Sequence, residues 1–220
     1  MPETMTIQEH ASYDKAAGWL DIAESGLEAM ALVNPLRRRS WSGVRGPLVL
    51  EVGVGSGRSL PFHPTDARVV AFDFSPSMLK RTIVKVGGTG SQVDLLLADV
   101  NYIPFRSGAF DTVLANFVFC MVPDPVGALS EVARACRPDG QVVLLEHVRP
   151  DNPVLGKAMD ILNKFTSRGN EFVNRDTAAN VRKAGLEITR EEKHRMGIVK
   201  LLRARPSAAA AKGEHNVVAS

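Results

Sequence analysis

The residues best suited to chemistry in this 220-residue chain gather where an apolar run meets a glycine-rich turn. Glu51 stands two positions before Gly53, and Gly53-Val54-Gly55-Ser56-Gly57 puts a glycine at every second position. Asp73 ends a second apolar run 20 residues after Gly53, and Asp99 follows a third. Glycines let a backbone come close to a ligand, and a carboxylate at the tip of the next strand can accept hydrogen bonds from both hydroxyls of a ribose. A dinucleotide fingerprint would need its third glycine at position 58, which is Arg58. The GxGxG spacing with an acid ahead of it instead suits an adenosyl ligand without a pyrophosphate. If that ligand has a cationic amino-acid end, Glu51 or its neighbours face it, and N–H groups of the loop take its carboxylate. The plain alternatives are a tight turn for the glycines and a solvated loop acid for Asp99. Without a ligand, however, Glu51 and Asp73 are strand-end carboxylates with no evident partner, which is costly.

Two further candidates follow the later apolar runs. His147, directly after Glu146, ends the fifth run, at the edge where α/β sheets bind ligands. It reads as a base or orienting group toward a second substrate, or as a hydrogen-bonded structural histidine. Cys120 reads as wall packing. Cys120 and Cys136 form no CxxC pair and the five histidines lack metal-ligand spacing, so no metal site is expected.

Positioning these residues takes alternating strands and helices. Strands are predicted over 47–53, 68–73, 92–98, 110–116 and 141–147, and the first and last are apolar on both faces, as in a parallel sheet covered by helices on either side. Ser75-Pro76, Asp124-Pro125 and Asn152-Pro153 each place a capping side chain before a proline at the first helical position, and Asp176 is a fourth cap. Val126, Leu129, Val132, Ala133 and Cys136 form one apolar helical stripe. Segments 186–191 and 198–204 have no helix between them and should pair antiparallel at a sheet edge. The expected fold is therefore α/β, Rossmann-like and doubly wound, with seven strands in a mostly parallel sheet and an antiparallel edge hairpin. A helical cap is expected over 1–44, the core over 45–205 and a frayed tail over 206–220, in one domain overall.

Composition narrows the classes. Hydrophobic residues at 45%, charged at 23% and aromatic at 6% are ordinary globular proportions, which exclude collagen, coiled coil and disorder. The longest apolar run, 117–122, is far shorter than the roughly 20 residues of a spanning helix, and the first ten residues lack a signal-peptide pattern, so a soluble, cytoplasmic protein is expected. A net charge of +3 demands no nucleic-acid partner. Oligomeric state is not legible.

Over about residues 12–205 the sequence resembles the class I S-adenosylmethionine-dependent methyltransferases. Glu51–Gly57 looks like their first motif, the segment 71–79 like the second strand and the helix start that frames the adenine, and Leu97-Ala98-Asp99-Val100 like the segment whose acid reaches the adenine amino group. Residues 110–116 resemble the fourth strand, and Arg137-Pro138-Asp139-Gly140 the turn before the fifth, where glycine is commoner than Asp139. The resemblance implies S-adenosyl-L-methionine as cofactor, with Gly53, Val54, Gly55 and Gly57 in its turn and Asp73 on its ribose. Phe74, Met78, Asp99 and Val100 would flank its adenine, Glu51 and Asn116 would lie near its methionine part, and Tyr13 would close over it as a lid. No nucleophilic side chain is needed for an in-line methyl transfer, so the lack of a Ser–His–Asp arrangement is no objection.

The closest subgroup is related to the quinone-biosynthesis enzymes. Residues 50–61, Asp73-Phe74-Ser75, Val122-Pro123-Asp124-Pro125 and 196–202 resemble bacterial phosphatidylethanolamine N-methyltransferases. Leu145-Glu146-His147-Val148 and Phe119-Cys120 look more like thiol S-methyltransferases. The implied acceptor is a small or lipid-borne nucleophile, with a phospholipid amine first, a small thiol or sulfide second and a quinone-ring carbon third. Two other classes are a non-catalytic adenosyl-binding module and a dehydrogenase, the latter opposed by the glycine spacing. Arg37, Arg38 and Arg39 beside Trp41 are candidates for peripheral contact with anionic headgroups, although basic residues at a helix C-terminus also simply complement its dipole.

Overall fold

The computed structural model describes residues 27–89, 92–166 and 174–207. Seven strands, β1 (Leu48–Val52), β2 (Arg68–Asp73), β3 (Val93–Leu97), β4 (Phe110–Asn116), β5 (Cys136–His147), β6 (Leu186–His194) and β7 (Val199–Pro206), form one sheet in the order β3-β2-β1-β4-β5-β7-β6. The first five pair in parallel, β7 runs antiparallel between β5 and β6, and β6 is the edge. The strand order reverses between β1 and β4, and such a reversal opens a crevice beyond the carboxyl ends of the strands.

Side-chain alternation sorts the core into two faces. Val49, Val69, Leu114, Val143, Leu145 and Leu201 share one cluster with Leu36 and Trp41 of α1 (Leu27–Trp41). Leu50, Val52, Phe72, Val113 and Leu144 share the other with Leu129 and Val132 of α3 (Pro125–Ala135) and Val181 of α5 (Thr177–Lys183). Between them in the chain lie α2 (Pro76–Thr89) and, before α5, α4 (Pro153–Thr166). Both sheet faces are covered, as the doubly apolar β1 and β5 required.

The expected caps are in place. Asp124 accepts from the Gly127 N–H at 3.0 Å, Asp176 from Ala179 at 3.0 Å, and Asn152 from Val154 at 2.9 Å. One boundary differs: pairing of β5 begins at Cys136 opposite Phe110, jumps to Gln141 opposite Thr112, and leaves 137–140 looped out. A Cβ on Gly140 would stand 2.7 Å from the Asp111 carbonyl oxygen, so the bulge closes only around a glycine. Tyr13, most of the expected cap and the tail beyond 207 lie outside the described residues.

A buttress on α3 steadies the wall beside β3. Arg134 donates to the carbonyls of Ile103 (2.9 Å) and Phe105 (2.8 Å), and Glu131 accepts the Ile103 N–H at 3.1 Å while pairing with Arg134 at 2.7 Å. These bonds fix the chain just after the turn Val100–Tyr102. Replacing Arg134 with Met should lower unfolding free energy by about 1–3 kcal/mol, measured by urea denaturation. A midpoint equal to that of the parent protein would remove the buttress from this description.

Candidate active site

One cleft lies at the carboxyl ends of β1, β2, β4 and β5, roofed from one side by α1. Its floor is the turn after β1. Gly53, Gly55 and Gly57 all have positive φ, at +66°, +56° and +79°, a region that L side chains rarely adopt. A Cβ on Gly53 would lie 2.5 Å from Val118 and one on Gly57 2.8 Å from Leu60, whereas Gly55 faces open space with nothing within 4 Å. The middle glycine is thus the one that leaves room for a ligand.

The Gly55 peptide is held from both sides. Asp73 accepts its N–H at 2.8 Å through one oxygen and the Ser75 N–H at 2.9 Å through the other, while the Thr82 hydroxyl donates to its carbonyl at 2.6 Å. Asp73 is only 5% exposed, and burial raises its pKa to about 6 against the pull of these N–H donors. The expectation that this carboxylate lacks a protein partner is corrected, because backbone N–H groups serve it. The Phe74 N–H also faces this carboxylate, whose lone pairs still leave capacity for a further donor. Thr82 had no role in the sequence reading; its signal is a threonine one turn after Met78, able to bond backward.

Phe74, Met78, Asp99, Val100 and Asn101 line one end of the cleft. Asp99 caps the turn through the N–H and side-chain amide of Asn101, both at 2.9 Å. Asn101 Oδ1 is buried with no donor among the described residues, an acceptor suited to an N–H of a planar base.

Asn116, Phe117 and His147 line the other end. Asn116 accepts from the Ser40 hydroxyl at 2.9 Å and donates to Ser59 at 3.3 Å, so part of the amide expected at the methionine part ties α1 to β4. Phe117 has φ +60°, and its ring centroid stands 4.7 Å from that of His147. Burial, with the Arg37 charge, lowers the His147 pKa, and its Nδ1 is buried without a partner among the described residues. His147 is therefore neutral at pH 7 and able to take a proton.

The wall behind Phe117 is clamped by groups the sequence reading did not assign. Glu146, fully buried, accepts the N–H groups of Val118 (2.9 Å), Phe119 (3.1 Å) and Cys120 (3.3 Å). Desolvation outweighs these three donors and pushes its pKa up to about 7. Arg175 donates to the Phe119 and Val122 carbonyls. Cys120 lines the cleft as wall, as expected.

Three other expectations change. Glu51 is not among the cleft-lining residues; its carboxylate meets His63 Nε2 at 2.8 Å, and the His63 ring packs 4.4 Å from Trp41. Gly57 shapes the turn from behind and does not line the cleft either. The proposed headgroup cluster is dispersed: Trp41 is 4% exposed in the core, Arg37 is buried at the cleft, Arg39 pairs with Glu192 and Arg38 lies over Phe62. An indole packed inside the protein cannot anchor to a membrane. No helix among the described residues is long and apolar enough to cross one.

Residues 50–144 match the family model described as a methyltransferase domain. Phosphatidylethanolamine N-methyltransferase of Cereibacter sphaeroides is 40% identical over 133 residues, 59% of this chain and 66% of that protein. Demethylmenaquinone methyltransferase of Clavibacter sepedonicus is 28% identical over 155 residues, 70% of this chain and 61% of that protein. The chain spans less than two thirds of the length of either relative. The [4+2]-cyclase SpnF superposes with a TM-score of 0.71 at 17% identity, covering 91% of this chain and 95% of that one, a likeness of fold alone. Glycine turn, strand order and family match agree: residues 50–144 carry a methyltransferase domain on a Rossmann-like sheet.

Proposed function

We propose that the chain transfers a methyl group from S-adenosylmethionine to a small or lipid-borne nucleophile. The observation that carries this reading is the open face of Gly55, held against Asp73 at the point where the strand order reverses. The residues present fit the cofactor along its length. Asp73 has lone pairs for the ribose hydroxyls, Phe74, Met78 and Val100 provide apolar surface for the adenine, and Asp99 with the orphaned Asn101 Oδ1 provides acceptors for its amino group. The turn at Gly53 and Gly55 lets the methionine part pass close to backbone.

The cofactor supplies a methyl group already activated on a sulfonium sulfur. What remains for the protein is to align the acceptor within about 3 Å of it, which can supply roughly 7–11 kcal/mol of the barrier. The clamped wall 117–123 and the ring of Phe117 form a rigid acceptor side. Neutral His147 takes the proton that an ammonium or thiol must shed before it can attack. A phospholipid amine is the leading acceptor, supported by the 40% identity to the phosphatidylethanolamine enzyme. A quinone-ring carbon is the second reading, supported by the demethylmenaquinone relative.

Incubation with methyl-labelled S-adenosylmethionine and separate phosphatidylethanolamine, thiol and quinol pools tests this directly. Label is expected in the phospholipid pool; label in no pool overturns the enzymatic reading. Gly55→Val should weaken calorimetric binding of S-adenosylhomocysteine by more than about hundredfold, or roughly 2.7 kcal/mol, while the protein stays folded, since its side chain fills ligand space and strains the turn at φ +56°. Unchanged affinity would move the cofactor elsewhere. His147→Ala should lower turnover by about tenfold or more with cofactor affinity intact. In the parent enzyme at saturating cofactor, activity should persist below the ordinary histidine pKa, because the buried imidazole resists protonation. Turnover equal in both proteins across the pH range would remove His147 from the mechanism.

A further inference from the structure

Arg37 is a cation that reaches the cleft from α1, outside every motif of the glycine turn. It is 8% exposed, and its guanidinium carbon stands 5.2 Å from the centre of the Phe117 ring. The same ring packs against His147, whose pKa the Arg37 charge helps to lower, so Arg37, Phe117 and His147 form one stack where β4 and β5 end. The backbone of Arg37 is fixed there, since the Ser40 hydroxyl, with one proton to share, lies 2.8 Å from its carbonyl oxygen and 2.9 Å from Asn116 Oδ1.

Charge along the cleft is divided. Its lining acids, Asp73 and Asp99, belong to the tips of β2 and β3. At the β4–β5 end no acid lines the cleft among the described residues, because the carboxylate of Glu146 is turned onto the N–H groups of 118–120. A fixed guanidinium in a partly desolvated pocket repels an ammonium and favours a planar or tetrahedral oxyanion, which its N–H fork matches in shape.

The geometry points to Arg37 as the oxyanion-recognition residue of this cleft, holding a carboxylate or phosphate beside His147 at the end where the methyl group is transferred. This rests on the S-adenosylmethionine reading. Two molecules can bring that oxyanion: the cofactor through its amino-acid carboxylate, or the acceptor through a phosphate. In the second case an ammonium-bearing acceptor is admitted because its own phosphate offsets the Arg37 charge, and a neutral thiol gains nothing from it.

Calorimetry on the parent protein, Arg37→Met and Arg37→Lys tests this with three probes: S-adenosylhomocysteine, 5′-methylthioadenosine, which lacks the amino-acid end, and phosphoethanolamine added to the S-adenosylhomocysteine complex. If the cofactor brings the oxyanion, Arg37→Met weakens S-adenosylhomocysteine at least tenfold, leaves 5′-methylthioadenosine unchanged, and Arg37→Lys recovers part of the loss. If the acceptor brings it, both nucleosides bind as before and phosphoethanolamine binding falls at least tenfold. Equal weakening of both nucleosides would make Arg37 merely structural, and no change with any probe would leave it without a ligand; either result overturns the proposal. Failure of the parent protein to bind either nucleoside would instead overturn the cofactor reading itself.

Discussion

The hydrogen bond from the Gly55 N–H to the Asp73 carboxylate joins the two strand tips on which the site depends. It connects the turn after β1 to the end of β2 at the switch point, and it holds Gly55 in a conformation whose open side faces the cleft. The arrangement has an internal tension. Asp73 must be buried to lie against the turn, burial favours its neutral form, and the backbone N–H groups of Ser75, Gly55 and Phe74 pull the other way, leaving its pKa near 6. Ribose hydroxyls would add donors to the same carboxylate, so ligand binding and ionisation of Asp73 favour each other.

The cleft wall after β4 is built by a different device with the same logic. A segment that must leave β4, pass through a left-handed residue at Phe117 and still present a fixed wall cannot rely on sheet hydrogen bonds. Glu146 gathers three N–H groups of that segment and Arg175 two of its carbonyls. A buried carboxylate is tolerable when donors satisfy it, and here it converts an irregular loop into a surface rigid enough to align reacting atoms. The shared fold does not dictate the reaction, as the likeness to a cyclase illustrates. In the proposed reaction, the acceptor is met by what the ends of β4 and β5 present.

Much of this was legible in the sequence. Strand positions followed from apolar runs, helix starts from Asp124, Asn152 and Asp176, and the tight turn after β1 from its glycines. Contacts between distant segments were not. No periodicity pairs Glu51 with His63 across the loop that follows β1, and Glu146 meets the 118–120 backbone only once β4 and β5 are paired. The arginine run shows a signal that was present and misread. Leu36, Arg37, Ser40 and Trp41 are the buried residues within 32–41 of α1 and recur as one helical stripe, so the run is divided between a packed face and a solvent face. Reading three consecutive cations as one surface patch ignored that periodicity.

The most direct test of the account is the pH dependence of S-adenosylhomocysteine affinity, measured calorimetrically from pH 5 to 8 on the parent protein and on Asp73→Asn. If Asp73 grips the ribose as a carboxylate, parent affinity is constant above pH 7 and falls by up to about tenfold per pH unit below 6, while Asp73→Asn binds weakly without that slope. Equal affinity of the two proteins, with no change across pH 6, would contradict it.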